Sequence, residues 1–169
     1  MTGKWVNQYP DEVKSIAYAG HDLANHSEDH KTMLGLTKEQ CKDEIMDVHN
    51  KVKKLTGIKM NLFRAPYGDY NNIILGTARE CNYYMIQWDV DTLDWRNYTA
   101  DCIVSRTIHN SNLGNGSIII MHDGSKNTVA ALEGIITGLQ EQGYKIVPVS
   151  ELIYKKNYMV DPSGRQFER

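Results

Sequence analysis

His26-Ser27-Glu28-Asp29-His30 sets two imidazoles four residues apart. In a helical turn that spacing puts both rings on one face, where two neutral nitrogens can share one divalent cation. Zinc and similar ions accept such ligands, with a carboxylate and an open water position completing a catalytic site. Surface histidines also meet at this spacing by chance, so the pair alone does not fix a metal. Arg64-Ala65-Pro66-Tyr67-Gly68 packs a guanidinium, a rigid proline and an aromatic ring into one turn, chemistry shared with ordinary strand-to-loop turns. Trp88-Asp89-Val90-Asp91-Thr92-Leu93-Asp94-Trp95 offers three carboxylates and two indoles, able to orient a histidine and wall a sugar site or simply to lie solvated. His122-Asp123 follows the apolar run Ile118-Ile119-Ile120-Met121, which places a histidine at the mouth of a buried strand. There a partner carboxylate could hold it as a proton donor, or it could be a satisfied core histidine. Four weak patterns in one order carry more weight than any of them singly.

Alternating strands and helices must position these groups. Pro10 to Gly20 reads as a short helix, with Val13, Ile16 and Ala17 at helical spacing. Thr37 and Gln40 form a capping box, after which Cys41, Ile45, Val48, Val52 and Leu55 make one apolar stripe that stops at Gly57. Further helical patterns run over 72–81, 100–110 and 128–142. Short apolar runs at Leu62-Phe63, Tyr84 to Trp88, Ile118 to Met121 and Ile146-Val147 read as strands covered on both faces. That alternation implies a parallel sheet or a (β/α) barrel, in which functional groups gather at the C-terminal ends of strands. Arg64, Asp89, Asp94 and His122 all follow such runs.

The chain has 169 residues with 41% hydrophobic content, enough for one domain with a real core. Nineteen basic against 21 acidic residues give a formal charge of -2, which offers no electrostatic footing for nucleic acid or an anionic membrane. Cys41, Cys81 and Cys102 lack metal-type spacing and fall in helical patterns, where small buried hydrophobes are expected. No apolar stretch approaches a membrane span, and Met1 to Val6 lacks the apolar run of a signal peptide. Residues 156–169 read as a solvated tail to a domain over 1–155.

The ordered set His26-Ser27-x-x-His30, Arg64-Ala65-Pro66-Tyr67-Gly68, Asp91-Thr92-Leu93-Asp94-Trp95 and Ile120-Met121-His122-Asp123 resembles motifs two to five of the polysaccharide deacetylases. This is the NodB-homology domain, carbohydrate esterase family 4. The resemblance implies an α/β fold, a distorted (β/α) barrel of the polysaccharide deacetylase type. It further implies a hydrolase that removes acetyl groups from N-acetylglucosamine units of peptidoglycan, chitin or a related glycan, secreted or associated with the cell wall. By the same resemblance His26 and His30 are ligands of a divalent metal, zinc first, with cobalt or another transition metal as alternatives. Tyr67 matches the residue whose backbone N–H steadies the oxyanion and lines the substrate site. His122 matches the general acid, Asp94 the carboxylate that orients it, and Arg64 the residue that tunes the base. Trp95 and Ile120 match the apolar walls of the acetyl pocket.

The departure is a Thr-Phe-Asp-Asp-Gly motif, which in the family supplies the general base and a third metal ligand and which is absent here. None of Asp22, Asp29 and Asp123 matches it. Met1 to Val6 resembles the interior of the family's second strand region, so a barrel missing the first strand and helix is expected, impaired in catalysis and prone to self-association. The competing expectations are a non-catalytic, glycan-binding remnant of the family and an O-deacetylase acting on a xylan-like polymer.

Overall fold

The structure, a computed structural model, describes residues 1–161 and 163–169. The backbone divides into two compact units, Met1–Gln87 and Trp88–Arg169.

The first unit opens on a helix, α1 (Gly3–Gln8), where the resemblance suggested a strand region. Thr2 supplies the reason: its hydroxyl accepts the Trp5 N–H at 3.2 Å, a favoured cap, and the turn buries Val6. Helix α2 (Pro10–Tyr18) starts on a proline at its first position with Asp11 and Glu12 in its first turn, both suited to a helix N-terminus. Helix α3 (Lys38–Thr56) has the expected capping box between Thr37 and Gln40. It ends on Gly57 at φ 76°, a left-handed cap that glycine adopts without a Cβ penalty. Its stripe of Cys41, Ile45, Val48 and Val52 is fully buried, while Leu55 packs at the margin of the core. Helix α4 (Asn72–Glu80) begins where the Asn71 side chain accepts the Ile74 N–H at 2.9 Å.

Strand β1 (Leu62–Phe63) pairs in parallel with β2 (Tyr84–Met85), Leu62 opposite Tyr84. On the other side of β1, Asn25 forms a parallel bridge to Phe63. Phe63 is fully buried and sits at the centre of the core formed with Met33, Ile45, Val48 and Ile74. This parallel arrangement brings the chain segments leading into His26 and into Arg64 side by side.

In the second unit, β3 (Val90–Asp91) pairs in parallel with β4 (Ile119–Ile120). The run from Tyr84 to Trp88, expected to be one strand, contributes only Tyr84–Met85 to a ladder. A new strand begins after Asp89, whose carboxylate accepts the Ile118 N–H at 2.8 Å and the Ser117 hydroxyl at 3.0 Å. Helix α5 (Ala100–Ile108), capped by Thr99, packs along α6 (Thr128–Glu141). The core between them is Ile103, Ala131, Ile135 and Leu139. A Cβ at Gly134 would stand 2.9 Å from Val104, so glycine permits the close approach of the two helices.

Ile146-Val147 is not in a strand; a short helix, α7 (Val149–Leu152), follows instead. The tail expected to be merely solvated contains an antiparallel ribbon of β5 (Tyr158–Val160) and β6 (Gln166–Glu168). Arg165 ties this ribbon back to Asp89 at 2.7 Å. Pro162, which belongs to that tail, lies outside the described residues. Cys41 is buried as expected, whereas Cys81 and Cys102 are only partly so. Among the described residues no helix is long and apolar enough to cross a membrane.

Candidate active site

The residues singled out by sequence fall into two groups, one in each unit. In the first unit His26 and His30 do meet, with ring centroids 4.8 Å apart in an edge-to-face arrangement. The means differs from the helical turn that their spacing suggested. The segment is a loop, bent by left-handed backbone at Ser27 (φ 68°) and His30 (φ 55°).

His26 Nδ1 lies 2.6 Å from the Arg64 carbonyl oxygen. A carbonyl only accepts, so Nδ1 carries the hydrogen and Nε2 keeps its lone pair. Burial, followed by the Arg64 guanidinium, holds the His26 pKa down to about 3. The ring is therefore neutral across the physiological range, the state a metal ligand needs. A ligand imidazole that donates its other N–H to a backbone carbonyl is a common support for metal binding. His30 is fixed from several sides: its N–H donates to the Ser27 hydroxyl at 3.0 Å, and its carbonyl accepts the Tyr67 hydroxyl at 3.3 Å. The Tyr67 ring also stands edge-to-face on the His30 ring at 4.9 Å.

Tyr67 itself is at φ 59° inside the short turn Pro66–Gly68, a strained conformation for a bulky residue that turns up at functional sites. Its side chain is 68% exposed. Arg64 contributes through its backbone on both sides, since its N–H donates to Asn25 O at 3.0 Å while its carbonyl holds His26.

In the second unit Asp94 and His122 form the expected pair. His122 Nδ1 donates to Asp94 Oδ1 at 2.8 Å, and the His122 backbone N–H donates to Oδ2 at 2.8 Å. Thr128, at the start of α6, adds a hydroxyl donor to Oδ2 at 2.7 Å, and the Trp95 N–H donates to Oδ1 at 3.0 Å. Asp94 is fully buried, and burial by itself pushes its carboxyl up. The His122 N–H, the Thr128 hydroxyl and the His122 ring outweigh that effect and hold the acid below the ordinary carboxylate value. The His122 ring is partly exposed, its Nε2 being the nitrogen that Asp94 leaves free. Trp95 stands half exposed with Arg96 4.9 Å above its ring, and Ile120 is buried in β4.

Sequence reasoning missed four supporting residues. Glu44 of α3 accepts the Glu28 and Asp29 N–H groups, both at 3.1 Å. Asp69 accepts the Thr32 hydroxyl at 2.6 Å and the Met33 N–H at 3.0 Å. Asn25 accepts the Ser27 N–H at 3.0 Å, and Thr128 braces Asp94. Only Asn25 and Asp69, next to motif residues in the sequence, carried a signal that could have been read.

Two imidazoles, one with its tautomer and neutral state already set, fit a share of a divalent-metal site. Among the described residues no group of three or more His, Cys, Asp or Glu side chains gathers for metal binding. Of the residues described, His26 and His30 are the ones that would contribute to such a site.

The polysaccharide deacetylase family model matches residues 1–86. A peptidoglycan-N-acetylglucosamine deacetylase from Bacillus cereus is 33% identical over 162 residues, which is 93% of this chain and 75% of the relative. The uncharacterized protein YlxY of Bacillus subtilis is 29% identical over 153 residues, 90% of this chain and 47% of its own length. Among solved structures, a CE4 family pseudoenzyme from Bacillus anthracis matches with a TM-score of 0.84 at 30% identity, covering 89% of this chain and 53% of that one. The chain therefore spans about half the length of two of these three relatives. Motif order, backbone and sequence agree, and the chain belongs to the polysaccharide deacetylase family, with that family's α/β fold.

Proposed function

We propose that this chain serves a metal-dependent N-deacetylase that releases acetate from the N-acetylated sugars of peptidoglycan. The observation that carries the reading is the Asp94–His122 pair. Asp94 is buried, ionised and saturated by four donors, so it fixes both the orientation and the tautomer of His122. With Nδ1 committed to the carboxylate, Nε2 is the atom that holds a proton and delivers it to a leaving amine. A histidine held by a carboxylate in one orientation, with one ring nitrogen facing outward, has the geometry of a general acid. An amide hydrolase needs that donor, because an unprotonated amine is a poor leaving group.

In the other unit His26 and His30 would hold zinc, cobalt or a similar ion, which when bound polarises the acetamide carbonyl and lowers the pKa of a coordinated water. The Arg64 carbonyl keeps His26 in the ligand tautomer, and Tyr67 braces His30. The backbone N–H of Tyr67 is assigned to the developing oxyanion, the Arg64 guanidinium to tuning of the base, and Trp95 and Ile120 to the walls around the acetyl methyl. The peptidoglycan-N-acetylglucosamine deacetylase relative supports this substrate class.

A second reading is a glycan-binding protein without turnover. It is favoured by the lack, among the described residues, of a third side chain beside the two histidines, and by the likeness to a pseudoenzyme. Acetate release from peptidoglycan, chitooligosaccharide and acetylated xylan, each with added zinc or cobalt, separates the readings. The first expects release from the N-acetylated substrates and at least a 100-fold loss in His122→Ala, as removal of a general acid implies. Retention on insoluble peptidoglycan with no acetate released would establish the second, and release from xylan alone would point to an O-deacetylase.

A further inference from the structure

We propose that Glu44, on α3, is the positioning residue that holds the loop between His26 and His30 in the conformation that presents both rings. The inference rests on the reading of those two histidines as metal ligands. The loop is not helical, so its backbone N–H groups have no partners from regular structure. Four consecutive ones are nevertheless taken by side chains: Ser27 N–H by Asn25 Oδ1, Glu28 N–H and Asp29 N–H by Glu44 Oε2, and His30 N–H by Ser27 Oγ. Asn25 and Ser27 belong to the loop's own segment. Glu44 alone of these acceptors stands on another element, so it ties the loop's N–H groups to a rigid helix, beside the Asn25 amide bonded to the Ile45 carbonyl and the Lys51–Glu28 pair on the same helix.

Chemistry matches the geometry. Successive N–H groups facing one carboxylate form an anion-holding nest, and the negative charge makes each bond stronger than a neutral one. Glu44 is 5% exposed, and a carboxylate in that position must be fully partnered. Its second oxygen meets Lys31 Nζ at 2.6 Å. The left-handed backbone at Ser27 and His30 is unfavourable for side-chain-bearing residues and persists only where surroundings over-determine it. Without the two bonds to Glu44 the N–H groups at the centre of the loop lose their only acceptor among those named, and the close approach of the two rings is loosened.

The test uses the full chain and cobalt(II) as probe, read by visible absorption during titration, with Glu44→Met, Glu44→Gln and Lys31→Met. Glu44→Met keeps the volume of the side chain but accepts no N–H. It should bind cobalt tenfold or more weakly, the range seen when support behind a metal ligand is removed, and with an altered spectrum. Glu44→Gln keeps a carbonyl acceptor and should recover most of the affinity. Lys31→Met leaves the N–H acceptor in place and should stay within about threefold of the parent, on the same argument. Glu44→Met with parental affinity and spectrum, or Lys31→Met as damaging as Glu44→Met, overturns the proposal. Amide hydrogen exchange on the unsubstituted, metal-free chain gives a readout that no folding defect can confuse. Slow exchange at Glu28 and Asp29 is expected, and exchange at the unprotected rate overturns the role of Glu44 whatever the variants do. If the unsubstituted chain takes up no cobalt at millimolar concentration, the ligand reading of His26 and His30 fails, and the exchange rates alone then decide whether Glu44 holds the loop.

Discussion

At the scale of single residues, Asp94 makes the sharpest commitments. Each of its oxygens accepts two hydrogen bonds, so an amide in its place would turn an N–H towards other donors. Asp94→Asn should cost about 1–3 kcal/mol of stability in urea unfolding. It should also lower acetate release by on the order of 10²-fold or more through loss of the charge behind His122. The pH dependence follows from the depressed carboxyl. A folded-state pKa below the unfolded value, about 3.9 for aspartate, contributes stability that is present above the unfolded value and lost as pH falls through the folded one. Acid unfolding of the parent should therefore show a component below about pH 4 that Asp94→Asn lacks; equal acid profiles would show that the network does not hold the carboxylate charged. Glu44 and Thr128 teach the complementary lesson: both matter through bonds to groups distant in sequence, and neither residue type nor spacing marks them out.

At the scale of elements, α3 is the most fully determined piece. Its start is fixed by Thr37 and Gln40, whose reciprocal bonds measure 3.2 and 2.9 Å, and its stop by Gly57. Thr37→Ala should lower stability by about 0.5–2 kcal/mol. Gly57→Ala should cost about 1–2 kcal/mol, because alanine meets its own backbone at positive φ. Both are checked by the urea midpoint, and no change in either would mean that tertiary packing alone sets the ends of the helix. The five helices read from periodicity and capping are all present, whereas α1 and α7, at six and four residues, are too short to display a period. The strands fared worse for the same reason. Each parallel ladder is two residues long, so where Tyr84 to Trp88 leaves its ladder depends on partners such as Asp89, Ser117 and Ile118 rather than on the run of apolar residues.

At the scale of the molecule, a formal charge of -2 spread over 169 residues leaves no strong field to steer a charged ligand. Binding of neutral chitooligosaccharide should accordingly change little between 50 mM and 500 mM salt, as measured by calorimetry, since screening weakens only interactions between charges. A steep salt dependence would point to an anionic wall polymer as the true ligand. In the second unit, Gly134→Leu forces a side chain against Val104 and should destabilise the α5–α6 pair by about 1–3 kcal/mol, the usual cost of overpacking. Amide exchange in α5 and α6 would report it directly.

By itself the sequence determined the ingredients: helices long enough to show a period, the caps that bound them, the parallel character of the apolar runs, and the ordered motifs that place the chain in its family. Those are local properties, carried by neighbours within a few turns, or patterns kept as text. Tertiary structure alone decided how His26 and His30 meet, because their approach comes from a bent loop whose N–H groups are held by Asn25, Ser27 and Glu44, not from the helical turn that the spacing suggested. It likewise decided that Asp94 is buried and ionised, since three of its four donors come from positions 122 and 128. A backbone hydrogen-bond donor looks the same in every sequence, and only the folded chain assigns it an acceptor.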